Sequence, residues 1–188
     1  MKQIAIFSSG NGTNAKKIID HFKNSSNATV RLIVCNKPGA GVLKIAEDDK
    51  IPVLMIEKEK FFRGNSYLDE IKDTGIDFIV LAGFLWKIPV ALIKEFRGRM
   101  INIHPALLPK YGGKGMYGNF VHEAVIANKE KESGITIHYV DDVYDNGQII
   151  LQATCLVEEN ETPESLSKKV QVLEHRHFPA AVSLLVTL

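Results

Sequence analysis

Apolar residues in the first hundred positions follow two rhythms. Short unbroken runs at Gln3–Phe7, Val30–Cys35, Val53–Ile56, Phe78–Leu81 and Met100–Ile103 lack polar alternation, as strands of a parallel sheet covered on both faces do. Between them, Asn14–Lys23, Val42–Asp49, Ser66–Lys72 and Pro89–Phe96 repeat their apolar positions at helical spacing, as Ile18, Ile19 and Phe22 do. The order βαβαβαβαβ predicts an α/β, doubly wound fold with a mostly parallel sheet.

After Ile103 the rhythm changes. A loop rich in Gly and Pro leads to a helix near Asn119–Ala127, then to strand runs at Ile135–Val140 and Gln148–Leu156. The short connection between those runs predicts an antiparallel strand pair added to the sheet near the C-terminus. Thr162-Pro163-Glu164 supplies an N-cap, a first-turn proline and a first-turn acid for a last helix. No linker, repeat or low-complexity stretch interrupts the pattern. Residues 1–188 are therefore expected to form a single domain, with residues 1–100 as one half and 101–188 as the other.

Composition narrows the class. The chain has 188 residues, 45% of them hydrophobic, enough for a full core. Its 23 basic and 22 acidic residues are mixed along the chain and leave a net charge of +1, which argues against nucleic acid or membrane as a partner. Cys35 and Cys155 each sit in an apolar run, as small buried hydrophobes do, so neither a disulfide nor a metal site is expected. The N-terminal apolar stretch turns polar at Ser8 and no run approaches the ~20 residues a bilayer requires. A cytoplasmic location is expected.

In this fold class ligands gather beyond the carboxyl ends of the parallel strands, which points to Ser8–Asn14, Ala82–Ile88 and Asn102–Gly115. In the first of these, Gly10, Asn11, Gly12, Thr13 and Asn14 join a strand to a helix, a place where free amides suit a phosphate. The same residues with Ala15 fit the Gly-x-Gly-x-x-Gly/Ala dinucleotide pattern, but the second strand ends at Cys35-Asn36 without the carboxylate that a ribose needs. A plain tight turn is the other reading.

At the fifth strand end, alternation sends Asn102 and His104 to one side and Ile103 to the other. An imidazole and an amide converging there suit a developing oxyanion, and a histidine held only by a backbone carbonyl is the structural alternative. The acidic turn Asp141–Gly147 has one carboxylate, Asp145, anchored just before a strand. Beside His104 it would hold an imidazolium and raise its pKa. His21, His122 and His177 read as surface or packing residues.

These residues together resemble the glycinamide ribonucleotide formyltransferase family. The match runs through Gly10–Asn14, Ala82-Gly83-Phe84, Asn102-Ile103-His104-Pro105-Ala106-Leu107-Leu108-Pro109, the Asp145-x-Gly147 turn with Ile150-Leu151-Gln152, and Glu174-His175, over about Ile4 to Pro179. The resemblance implies a Rossmann-like formyltransferase fold with a phosphate-binding first half and a catalytic, folate-binding second half. It implies catalysis by Asn102, His104 and Asp145, with 10-formyltetrahydrofolate as co-substrate and no metal. The ribonucleotide would meet Gly10, Asn11, Gly12, Thr13, Asn14, Gln171 and Glu174. The folate would meet Arg63, Leu85, Trp86, Lys87, Ile88, Asn102, Val140, Asp142 and Asp145.

The resemblance also implies small-molecule substrates and a monomer or weak homodimer. Trp86 and Lys87 depart from what other members carry, as does the glycine-rich Tyr111–Gly118 segment, which reads as a mobile lid or a surface loop. Methionyl-tRNA formyltransferases and formyl-folate hydrolases share the Asn-x-His and Asp features. The length of the chain favours the ribonucleotide enzyme over both.

Overall fold

Strands buried on two faces need helices on both sides, and the chain supplies them in alternation. The structure is a computed structural model that describes residues 1–187. It runs β1 (Lys2–Ser8), α1 (Thr13–Phe22), β2 (Ala28–Cys35), α2 (Gly41–Asp48), β3 (Val53–Met55), α3 (Lys58–Arg63), α4 (Leu68–Asp73), β4 (Phe78–Leu81) and α5 (Val90–Glu95). It continues with β5 (Met100–His104), α6 (Asn119–Ala127), β6 (Glu132–Tyr139), β7 (Ile149–Leu156) and α7 (Pro163–Val186).

The strands form one sheet in the order β3-β2-β1-β4-β5-β6-β7. β1 to β5 pair in parallel, β6 pairs antiparallel with β5, and β7 pairs antiparallel with β6. This is the doubly wound sheet with an added antiparallel pair that the hydrophobic pattern predicts.

Each face of the sheet has its own apolar layer. On one, Ile4, Ile6, Ile33, Val80, Ile101, Ile103, Ile135 and Ile137 pack against Ile18, Phe22, Val42, Val125, Leu166 and Phe178 from α1, α2, α6 and α7. Full burial of such a side chain stabilises by about 1.5–3 kcal/mol, so this layer binds the antiparallel strands to the rest. On the other face, Ala5, Phe7, Leu32, Val34, Ile79, Leu81 and Met100 pack against Phe61, Ile71 and Leu92 of α3, α4 and α5. That second layer takes no side chain from β6 or β7. The part of the sheet carrying Asn102, His104, Thr136 and His138 therefore lies beyond α3, α4 and α5.

Three of the differences from the pattern have a clear local cause. α3 has no counterpart in the pattern, because six residues with one buried side chain, Phe61, show no periodicity. α4 starts after Ser66 and Tyr67, whose left-handed φ values of 58° and 56° cannot continue a helix. β6 begins at Glu132 rather than Ile135. Gly134 lets it lie close against β7, where an added Cβ would sit 1.9 Å from the Ala153 carbonyl oxygen. α7 begins as expected: Thr162 and Ser165 form a reciprocal capping box, with Pro163 in the first turn. Among the described residues, no helix is long and apolar enough to cross a membrane.

Candidate active site

The loop after β1 is shaped by Gly12, which caps α1 at φ 76° and ψ 19°, a conformation glycine adopts freely. A Cβ there would also meet Val42 Cα at 2.8 Å. No side chain caps α1, so its first amides are available to an anion. Ser9 ties this loop to the next: its amide donates to the Gly83 carbonyl at 3.0 Å, and its hydroxyl accepts from the Leu85 amide at 3.0 Å.

The antiparallel register places His138 opposite Asn102 and Thr136 opposite His104. His138 Nδ1 lies 2.8 Å from the Tyr139 carbonyl oxygen, which only accepts, so Nδ1 carries the proton and Nε2 is the bare nitrogen of the neutral ring. Asn102 Nδ2 donates to that Nε2 at 3.1 Å and reaches Asp145 Oδ1 at 3.5 Å. The same logic fixes His104. Its Nε2 donates to the Tyr111 carbonyl at 2.7 Å, so its Nδ1 faces Asp145 Oδ2 at 3.6 Å. Asp145 Oδ2 also accepts from the Gly113 amide at 2.8 Å.

Behind His104, the buried Thr136 hydroxyl donates to the Ala106 carbonyl at 2.7 Å. It accepts from the Leu108 amide at 3.0 Å and from Gln152 Nε2 at 2.9 Å. One hydroxyl thus joins the loop after β5 to β6 and β7.

Burial pulls His104 below the ordinary imidazole range; Asp145 and the Tyr111 carbonyl pull it up, His138 pushes it down, and the net direction is down. Asp145 does raise this pKa, but the expectation of a held imidazolium is corrected. Its attraction is present, but the desolvation of a ring only 4% exposed outweighs it. Burial pushes the Asp145 carboxyl up, yet the neighbouring His138 and His104 rings and the Gly113 amide together hold it below its usual value. At neutral pH the pair is a neutral imidazole beside a carboxylate.

Asn102, His104 and Asp145 border a cavity of about 580 Å³, and Asn14, Gln171 and Glu174 line it too. Asn14 Nδ2 donates to Glu174 Oε2 at 2.9 Å, and Gln171 Nε2 donates to Thr13 Oγ1 at 3.3 Å. Burial raises the Glu174 carboxyl against the opposing Asn14 bond. Asn14 Oδ1 is buried without a partner. Gly10, Asn11, Gly12 and Thr13 precede Asn14 but do not line this cavity.

A narrower cleft of about 80 Å³ is lined by Trp86, Lys87, Ile88 and Val140. It shares Phe84, Asn102, Tyr144 and Asp145 with the larger cavity, which Leu85 also lines. Trp86 is packed among Phe61, Phe62 and Phe84, with ring centroids 5.7 to 6.3 Å away. The structure does not bring Arg63 or Asp142 to either space. Arg63 lies two positions after buried Phe61, about 200° round the helix, and pairs with Glu59 at 3.6 Å. Asp142 is exposed at the turn.

Sequence reasoning missed two histidines. His138 orients Asn102, and its signal was the polar face of β6, Thr136 and His138, alternating with Ile135 and Ile137. His122 lines the larger cavity, is 3% exposed and has an unpartnered Nδ1. Burial, then the charge of His104, lowers its pKa. The Tyr111–Gly118 segment is a packed wall at its start, since a Cβ on Gly112 would lie 2.5 Å from Leu108 Cδ2 and 3.2 Å from Asp145 Cβ.

The formyl transferase family model matches residues 2–182. The chain belongs to the formyl transferase family. A phosphoribosylglycinamide formyltransferase of Arabidopsis thaliana, named as chloroplastic, is 42% identical to it over 96% of this chain and 64% of its own length. The chain thus spans less than two thirds of that plant relative's length. The phosphoribosylglycinamide formyltransferase of Bacillus subtilis (strain 168) is 33% identical over 100% of this chain and 96% of its own. The crystal structure of the phosphoribosylglycinamide formyltransferase from Bacillus halodurans matches with a TM-score of 0.88 at 37% identity, covering 98% of this chain and 95% of that one.

Membership of the formyl transferase family implies a formyl-folate co-substrate. The residues fit one: the narrow cleft has the apolar walls Trp86, Ile88 and Val140 for a flat ring system and opens onto Asn102 and Asp145. Among the described residues, no group of three or more His, Cys, Asp or Glu side chains is placed to hold a metal ion.

Proposed function

We propose that this chain transfers the formyl group of 10-formyltetrahydrofolate to the amine of glycinamide ribonucleotide in purine biosynthesis. The observation that carries this reading is the position of Asn102, His104 and Asp145 beside two adjoining spaces, one bordered by Asn14, Gln171 and Glu174, the other by Trp86, Ile88 and Val140. The amides at Gly10–Thr13 suit the ribonucleotide phosphate, and Glu174 suits its ribose hydroxyls. The ring system of the folate suits the narrow cleft, with Leu85 and Lys87 toward its tail. Arg63 and Asp142, which line neither space, are left out of this assignment.

The chemistry follows from the protonation states. As the amine nitrogen bonds to the formyl carbon, the bare His104 Nδ1 takes the proton that nitrogen sheds, and Asp145 stabilises the imidazolium formed. His104 then returns the proton to the folate nitrogen as its bond to the formyl carbon breaks. Asn102 reaches Asp145 only at 3.5 Å, so that N–H is weakly engaged and can donate to an oxyanion placed beside it.

Small molecules are its proposed partners, with the chain working in the cytoplasm as a monomer or weak homodimer. The plant relative's printed name places that protein in a chloroplast.

The test follows folate absorbance as purified protein meets 10-formyltetrahydrofolate with and without glycinamide ribonucleotide. Turnover that requires the ribonucleotide is the expected result. Release of the formyl group to water alone, or no turnover in either case, overturns the assignment.

A further inference from the structure

We infer that Tyr111, anchored by Glu130, is a positioning residue that fixes the tautomer of His104 and so decides which ring nitrogen faces the reaction. Asp145 alone would do the opposite: a carboxylate 3.6 Å from Nδ1 favours a proton on Nδ1. A ring protonated there has its lone pair on Nε2 and none on Nδ1 to accept the amine's proton. The Tyr111 carbonyl, 2.7 Å from Nε2, places the proton at the far side of the ring and leaves Nδ1 bare.

The carbonyl is held where it is by a side chain. Tyr111 adopts a left-handed φ of 56°, unusual for a residue with a Cβ. Its hydroxyl donates to Glu130 Oε1 at 2.9 Å, and Lys110 Nζ lies 2.9 and 3.1 Å from the two oxygens of the same carboxylate. Glu130 lies just past the end of α6, so the anchor comes from a separate part of the chain. Tyr111 also packs against the core, but that packing is incomplete. A cavity of about 300 Å³ opens beneath this loop, lined by Leu107, Leu108, Tyr111, Val125 and Glu130 among others. The other titratable groups facing His104 are Asp145 from the β6–β7 turn, His138 from β6 and His122 from α6.

The inference rests on the proposed formyl transfer only in naming Nδ1 as the reacting nitrogen. Its first test is independent of activity: ¹⁵N spectra of histidine-labelled protein, wild type, Tyr111→Phe, Glu130→Ala and Glu130→Gln, at a pH where His104 is neutral. The wild type is expected to show His104 as the Nε2–H tautomer. Tyr111→Phe and Glu130→Ala are expected to raise the Nδ1–H population several-fold, and Glu130→Gln, which keeps an acceptor oxygen, to restore the wild-type pattern. In turnover assays the first two should lower kcat roughly two- to tenfold with both KM values held within about twofold, the size of one lost hydrogen bond. An Nδ1–H tautomer in the wild type, or an unchanged tautomer in both Tyr111→Phe and Glu130→Ala, overturns the inference. Absence of turnover in the wild type would instead remove the proposed function and leave the spectra to decide this point.

Discussion

Gly112 has no room for even a methyl group, and the atoms in its way are Leu108 Cδ2 and Asp145 Cβ. Gly112→Ala must displace the buried Leu108 side chain behind His104 and press on the Asp145 side chain in front of it. Small displacements of this kind can lower rates by up to ~10²-fold, so the variant is expected to lose at least tenfold in kcat. Parallel turnover and thermal melts check this, with the loss of rate outrunning the loss of stability. His104→Ala and Asn102→Ala should each lower turnover ~10²–10³-fold while circular dichroism stays unchanged; normal turnover in either removes that residue from the mechanism. At this scale Asn102 and His104 were legible because strand alternation alone puts them on one side, and Asp145 because a strand anchors its turn. His138, Tyr111 and Gly113 were not. Their roles depend on an antiparallel register and on backbone carbonyls and amides, which leave no mark in a one-dimensional pattern.

Elements with long apolar runs were read correctly, and the misses have local causes. α3 is short and mostly exposed, so propensity and periodicity had little to work on. The early start of β6 was hidden because Ser133-Gly134 reads as a turn, whereas here the glycine is what permits close strand contact. Gly134→Ala therefore tests the pairing of β6 with β7. Its Cβ would lie 1.9 Å from a backbone oxygen that cannot rotate away, so the cost should reach or exceed the 1–3 kcal/mol typical of overpacking. Urea denaturation would show it as a lower midpoint; an unchanged midpoint would mean that the strands separate there without cost. Because β6 holds Thr136 and His138, activity should fall with the same variant.

For the whole molecule, stability should depend on pH through its buried histidines. His104 and His122 both have folded pKa values below the ordinary 6.5, because burial penalises their charged forms. Their neutral forms are favoured by folding, so this contribution is fully present above the unfolded value and is lost as pH falls through the folded ones. Asp145, also lowered, adds a further loss at more acid pH, below its ordinary 3.8. The melting temperature should hold near neutrality and fall below about pH 6.5, and His122→Gln should flatten that fall. A melting temperature constant between pH 7 and 5 would contradict the buried, neutral state of these rings.

The bonds from Asn14 to Glu174 and from Gln171 to Thr13 join residues 160 and 158 positions apart. One wall of the larger cavity is thus a seam between the first helix of the chain and the last. During synthesis that wall cannot exist until α7 has emerged and docked, so ligand recognition appears only after all seven strands of the sheet have been made. A ligand lying across the seam then acts as a clasp on α1 and α7. Saturating ribonucleotide should slow amide exchange in α7 more than in β4, at the centre of the sheet.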